Sequence, residues 1–242
     1  MVGDDCFLFD VDGTLTSPRS TIDEEYVSFF RDWVSSNDVF LVSGSDLPKI
    51  KEQLPIDILN QCQGIFACMG NELWKSHPNV SWFWNIYTTK LELNDEVYSF
   101  LTNVLKKTEW QKHHPPHFEE RSGMLNFSIP GRGTNKKLRL DYYNWDTFSG
   151  ERYTIAKDFN KKFKRLGLEA LVGGQTSLDI QKIGKDKSQV INFLNYKKYI
   201  FFGDKCDEGG NDYPLYLKCN EKWHVKSPQE TFRILRKFYE KN

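Results

Sequence analysis

The sequence predicts an α/β fold, in which a parallel-sheet core carries a separate, inserted α+β module. Three observations lead there. Two apolar strands near the start each end in small polar residues: Phe7-Leu8-Phe9 runs into Asp10-Val11-Asp12-Gly13, and Val39-Phe40-Leu41-Val42 into Ser43-Gly44-Ser45. A helical pattern separates them, the alternation expected of a parallel sheet. Late in the chain Tyr199-Ile200-Phe201-Phe202 repeats the arrangement, ending in Gly203-Asp204-Lys205.

Each element has a local reason. Residues 6–9 are continuously apolar, as suits a strand covered on both faces. Side chains alternate along a strand, so Asp10 and Asp12 project to the same side at its carboxyl end. Two carboxylates so close repel unless a metal or a shared proton offsets the charge. Thr21 and Glu24 have capping-box spacing, and Ile22, Tyr26, Val27, Phe30, Trp33 and Val34 recur at helical intervals. Asp46-Leu47-Pro48 opens another helix, and residues 65–68 give a third short strand.

From about Ser81 the character changes. The aromatic run Trp82-Phe83-Trp84 suits either an interface or core packing, and Val97, Phe100, Leu101, Val104 and Leu105 mark an amphipathic helix. His113, His114 and His117 share a loop stiffened by Pro115 and Pro116, which reads as surface rather than metal site. Residues 118–121 and 124–129 are strand-like around Ser122-Gly123, and a helix through Ile155, Phe159, Phe163 and Leu166 stops at Gly167. Two further strands flank Gly173-Gly174. Residues 186–194 are then helical, and Ser227-Pro228-Gln229-Glu230 starts the closing helix. These changes divide the chain into core at 1–81, inserted module at 82–184, and core again at 185–242.

Composition narrows the function. Lysine plus arginine and aspartate plus glutamate both number 33, so no overall field draws the chain to nucleic acid or to an anionic membrane. Five cysteines without CxxC spacing argue against a disulfide framework and against zinc. No signal-like start and no membrane-length apolar run is present, so a soluble, cytoplasmic protein is expected.

The segment FDVDGTLT resembles the first motif of the haloacid dehalogenase (HAD) superfamily of phosphotransferases. Ser45, Lys187 and Asp204 with Asp212 follow in the order of its remaining motifs. A closer resemblance, over nearly the whole chain, is to the eukaryotic-type phosphomannomutases. It rests on FDVDGTLTSPR, GSDLPKIKEQL, RSGMLNFSIPGR, GGQTSLDI, GKDKSQV and FFGDKCDEGGND. The resemblance implies a HAD-type Rossmann-like core with a cap domain, acting on mannose 6-phosphate and α-mannose 1-phosphate. It implies Asp10 as nucleophile and Asp12 as acid/base, with Ser45 and Lys187 holding phosphoryl oxygens. Mg²⁺ would sit on Asp10, Asp204 and the Asp12 carbonyl, with Asp212 orienting Lys187 or a metal-bound water. Arg121, Arg132 and Arg139 match cap arginines gripping the distal phosphate, Ser177 and Asp179 match cap contacts to sugar and phosphate, and Arg19 matches a core contact. A hexose 1,6-bisphosphate activator and a homodimer through the caps are further implications. The competing reading is a sugar-phosphate phosphatase of the same superfamily; a catalytically quiet binding protein fits less well, since binding needs no second acid/base.

Three departures stand out. Ser43-Gly44-Ser45 replaces a Gly-Gly-Ser, Cys68-Met69-Gly70 replaces Glu-Asn-Gly, and residues 217–221 lack the acidic, threonine-bearing loop associated with a second cation. Lys218 is a candidate to replace that cation electrostatically.

Overall fold

A computed structural model describes residues 4–77 and 80–239. In chain order the first elements are β1 (Asp5–Phe9), α1 (Glu24–Ser36), β2 (Asp38–Val42), α2 (Leu47–Gln53), α3 (Ile56–Gln61), β3 (Gly64–Ala67), β4 (Glu72–His77) and β5 (Val80–Thr88). Next come α4 (Asp95–Lys107), β6 (Phe118–Arg121), β7 (Met124–Ser128), α5 (Lys136–Ser149), α6 (Glu151–Phe163), β8 (Leu168–Gly173) and β9 (Ser177–Lys182). The chain closes with β10 (Lys198–Gly203), α7 (Tyr213–Lys218), β11 (Glu221–His224) and α8 (Pro228–Tyr239).

Two sheets result. One has seven strands in the order β11-β10-β1-β2-β3-β4-β5; the other has four, in the order β6-β7-β9-β8. The large sheet is parallel from β11 to β3 and turns antiparallel at β4 and β5. β1 lies between β10 and β2, so the three predicted polar strand ends meet at one edge of the sheet, where ligands of such sheets gather. The sheet also continues through β5, past residue 81, where the sequence pattern ended the first core segment. Among the aromatic residues there, Phe83 packs partly against the core cluster and Trp84 is exposed; the Trp82 side chain lies outside the described residues.

The core layers follow from the apolar spacing. Tyr26, Phe30, Trp33 and Val34 of α1 are buried, and Phe9 stacks on Phe202 with ring centroids 4.9 Å apart. Phe7 meets Trp33 edge-on at 5.2 Å. Each such side chain contributes about 1.5–3 kcal/mol through burial. In the smaller sheet Leu125, Phe127, Leu178 and Ile180 face α4 and α6, where Val97, Leu101, Phe159 and Phe163 complete a second core.

Local expectations differ from the structure in two places. The Thr21–Glu24 capping box does not form: Asp23 is the N-cap residue and its side chain makes no capping bond. Glu24 and Glu25 in the first turn favour the helix through its dipole instead. Residues 187–193 form a tighter 3₁₀ turn rather than an α-helix, opened by Asp186 accepting from Ser188 N at 2.8 Å. At α8 the expected cap is present: Ser227 Oγ accepts from Glu230 N at 3.4 Å, and the Glu230 carboxylate reaches back to Lys226 N at 2.9 Å. The histidine loop lies at the surface, where His113 Nδ1 and His117 Nδ1 are 3.1 and 2.9 Å from the Ile129 and Ser128 carbonyls. All five cysteines are buried and free. Among the described residues, no helix is long and apolar enough to cross a membrane.

Candidate active site

The predicted strand ends converge. Asp10 N donates to Phe202 O at 2.9 Å, which ties the end of β1 to the end of β10. Lys187 arrives from the 3₁₀ turn, fully buried, and its Nζ lies 2.5 Å from Asp10 Oδ1 and 2.7 Å from Asp212 Oδ1. The remaining Asp212 oxygen accepts from the amides of Asp204 and Lys205, at 3.1 and 3.0 Å. Asp212 therefore fixes Lys187 and the Asp204 backbone together.

Asp10, Asp204 and Asp212 bring carboxylate oxygens within 4.8 Å of one another. Burial pushes the Asp10 carboxyl well above its usual range, and Lys187 counters that, while Asp212 and Asp204 add to it. Burial likewise raises Asp204 to about 6 against the pull of Lys205, whose Nζ is 3.3 Å from Asp204 Oδ2. Three carboxylates facing two ammonium groups leave unbalanced negative charge among hard oxygen donors, the chemistry that suits a divalent cation such as Mg²⁺. Gly13, at φ +90, keeps space beside this cluster: a Cβ there would sit 2.5 Å from Asp204 Oδ2.

Asp12 stands apart from that cluster, half-buried and oriented by neighbours. Its Oδ1 accepts from Arg19 N at 2.7 Å and Gln53 Nε2 at 2.9 Å, and its Oδ2 from Ser45 Oγ at 3.3 Å. Gln53 was not anticipated; it lies inside the GSDLPKIKEQL segment and reaches Asp12 only once α2 has folded. Ser43 to Ser45 are held by backbone, since Cys68 N donates to Ser45 O and Met69 N to Ser43 O, both at 2.9 Å. Cys68, Met69 and Gly70 adopt φ of 50, 63 and 84. The apolar departure at this segment thus leaves the loop's main-chain support in place.

The cap supplies the opposite wall of the cleft, which takes in Arg19, Ser45, Arg121, Arg132, Arg139 and Asp179. Ser177 also lines it. Strand alternation produces this face: Glu119, Asn126 and Asp179 are in register across β6, β7 and β9. Two of the arginines have partners within the protein. Arg121 donates from Nη1 to Gly44 O at 2.6 Å and pairs with Glu119 at 2.9 Å. Glu119 pairs with Arg132 as well, and Asn126 bridges Arg132 and Asp179, at 3.1 and 2.8 Å. Burial, with Arg19 and Arg121 nearby, brings Arg132 down to about 10. Arg139 lies on α5, a helix the sequence pattern did not reveal. Glu119 was also missed, although it alternates with Arg121 on one strand and so shares its face. Lys218 lies exposed on the last turn of α7 and outside the cleft lining. It complements the carbonyl end of that helix.

Cap and core also meet through backbone. Val172 N donates to Gly209 O at 2.9 Å and Asn211 N to Val172 O at 3.1 Å, while Asn211 Nδ2 donates to Asp179 Oδ2 at 3.1 Å.

Comparison with known proteins bears on the fold and the family. The chain is similar in fold to Plasmodium falciparum IMP-nucleotidase with IMP bound, with a TM-score of 0.65 at 17% identity over 98% of this chain and 68% of that one. It is similar also to the C-terminal domain of a Candida albicans trehalose-6-phosphate phosphatase, with a TM-score of 0.58 at 15% identity over 98% and 76%. These likenesses concern the fold alone. In sequence it is 33% identical to a phosphomannomutase of Spinacia oleracea over 93% of this chain and 92% of that protein. It is 32% identical to phosphomannomutase 1 of Dictyostelium discoideum over 97% and 96%. The sequence model described as eukaryotic phosphomannomutase matches residues 27–241, and the chain therefore belongs to the eukaryotic phosphomannomutase family.

Proposed function

We propose that the protein interconverts mannose 6-phosphate and α-mannose 1-phosphate, with Asp10 as the phosphoryl acceptor and Asp12 as the acid/base. The observation that carries this reading is the buried bridge of Lys187 between Asp10 and Asp212, at the floor of a cleft whose opposite wall bears arginines. A carboxylate attacks a dianionic phosphate only when the like charges are offset. Asp10 and Asp204, with Asp212 beside them, would hold Mg²⁺, which supplies charge neutralisation and in-line alignment when bound.

The chain's own residues do the remaining work. Lys187 favours the ionised form of Asp10 and, with Ser45, stands where non-bridging oxygens gather during transfer. Asp12 is steered by Arg19 N, Gln53 and Ser45, so one oxygen is positioned to give a proton to the leaving sugar oxygen and take one from the incoming hydroxyl. Arg132 and Arg139 would hold the distal phosphate, with Arg121 linking that wall to Gly44 of the core. The intermediate must reverse between two transfers, so a wall that accepts either phosphate and excludes water is a functional need.

The test incubates the protein with mannose 1-phosphate, Mg²⁺ and glucose 1,6-bisphosphate as phosphoryl donor, and measures mannose 6-phosphate and free phosphate. Isomerisation with little phosphate release supports the mutase; phosphate release without isomerisation makes it a phosphatase. Retained activity in Asp10→Asn would overturn the nucleophile assignment. A cytoplasmic homodimer joined through the caps belongs to the same proposal on the strength of the family resemblance, and sedimentation of the pure protein tests the dimer.

A further inference from the structure

One charged pair has no part in the chemistry above. Arg152, at the start of α6, is 2% exposed and Asp146, near the end of α5, is 4% exposed. Asp146 Oδ1 accepts from Arg152 N and its Oδ2 from Arg152 Nε, both at 2.8 Å. The outer nitrogen Nη1 then reaches the carbonyls of Gly173, Gly174 and Ser177, at 3.1, 3.0 and 3.3 Å. Burying an ion pair this deeply costs desolvation that the pair alone barely recovers. Its geometry is accounted for by what the guanidinium grips: both sides of the β8–β9 turn.

That turn faces the cleft, which takes in residues 173–177. A trans peptide holds its C=O and N–H on opposite sides. With the Gly173 and Gly174 carbonyls directed to Arg152, the amides of Gly174 and Gln175 point away from it. Neither amide donates a hydrogen bond among the described residues. Gly174 has φ +51, the backbone sense in which successive amides form anion-binding concavities. Val172, one residue before the turn, is the cap residue joined by backbone to Gly209 and Asn211.

We propose that Arg152 is a positioning residue: backed by Asp146, it holds the turn so that the Gly174 and Gln175 amides receive an oxygen of the bound sugar phosphate. The inference rests on the cleft binding that substrate, as assigned above. Cap specificity then comes from two amides as well as from arginine side chains.

The test compares wild-type protein with Arg152→Lys, which keeps the charge but loses the fork that spans Asp146 and three carbonyls. In the mutase assay the variant should raise KM for mannose 1-phosphate about tenfold, the loss of one charge-assisted hydrogen bond, with a much smaller change in kcat. An unchanged KM in a variant that melts with wild type overturns the proposal. A second measurement does not depend on the variant folding. In ¹⁵N-labelled wild-type protein the Gly174 and Gln175 amide protons should move downfield on titration with mannose 1-phosphate or with inorganic phosphate. If neither probe moves them, the proposal fails. Loss of the mutase assignment would show separately, as wild-type protein that never forms mannose 6-phosphate.

Discussion

Replacing Lys187 with methionine keeps the length and apolar stem of the side chain and removes only its charge and donors. The structure allows the consequence to be worked out. Asp10 and Asp212 lose the ammonium group at 2.5 and 2.7 Å, leaving three carboxylates within 4.8 Å with Lys205 alone beside them. Breaking a buried pair by deleting one partner costs about 3–5 kcal/mol. For a chain of this size that is a fall in Tm of roughly 6–20 °C. The same reasoning predicts a partial rescue. A divalent cation neutralises what Lys187 neutralised, so Mg²⁺ should raise the Tm of Lys187→Met by more than it raises that of wild type. Lowering the pH to about 5 should also narrow the gap, because protonated carboxylates no longer need a counter-charge. Thermal unfolding at matched Mg²⁺ and pH reads all three effects. A variant that melts with wild type, or gains no more from Mg²⁺ than wild type does, would refute the view that this lysine balances a cation site.

The pH dependence of the wild-type site has a definite sign. Without a cation, Asp204 is raised from 3.8 to about 6. The stability it lends is complete below about 3.8 and is lost as the pH rises through 6; cation binding runs the other way and should weaken as the pH falls through 6. Mg²⁺ titrations followed by Tm at pH 5 and 7.5 check this, and equal affinities would contradict it. Gly13→Ala should abolish mutase activity and cost about 1–3 kcal/mol, since the φ of +90 is strained for alanine and its Cβ would press on Asp204. Wild-type kcat in that variant would show the space to be idle. Glu119→Gln should lower Tm by several degrees, about 2 kcal/mol, because Arg121 and Arg132 lose their shared counter-charge. Added sulfate should restore more of that loss than it adds to wild type; equal increments would mean that Glu119 does not hold the arginines against their mutual repulsion.

Much of this site was legible because it is local. Asp10, Asp12, Ser45 and Asp204 follow apolar strands directly, and strand alternation alone fixes the side on which they emerge. What escaped the sequence depends on distant partners. Gln53 is 41 residues from Asp12, and nothing in α2 marks it as other than a core-facing amide. The helix α5 was missed because it buries only Tyr142 and Asp146, too few to produce an apolar period; its real signals are Asn135, which caps Leu138 N, and Gly150 in the left-handed conformation. At β4 and β5 the large sheet turns antiparallel at its edge, where half the side chains face solvent and the continuous apolar run that betrays β1 or β10 is lost. The pairing of the arginines with Glu119 was not legible, because Glu119 acquires its meaning only when β6 lies beside the loop carrying Arg132.

The stretch from Gly203 to Asp212 joins two jobs on one short segment of the chain. Asp204 and Asp212 face the carboxylate cluster, and Gly209 to Asn211 receive Val172 and Asp179 from the cap. Such sharing restricts how the molecule can be re-engineered or can diverge. A cap transplanted from a relative would have to bring its own version of residues 203–212, because a graft that docked differently would also shift Asp204 and the partner of Lys187. Substrate preference and metal chemistry are in that sense inherited as one unit, whereas the outer strands and helices of the cap can drift without consulting the core.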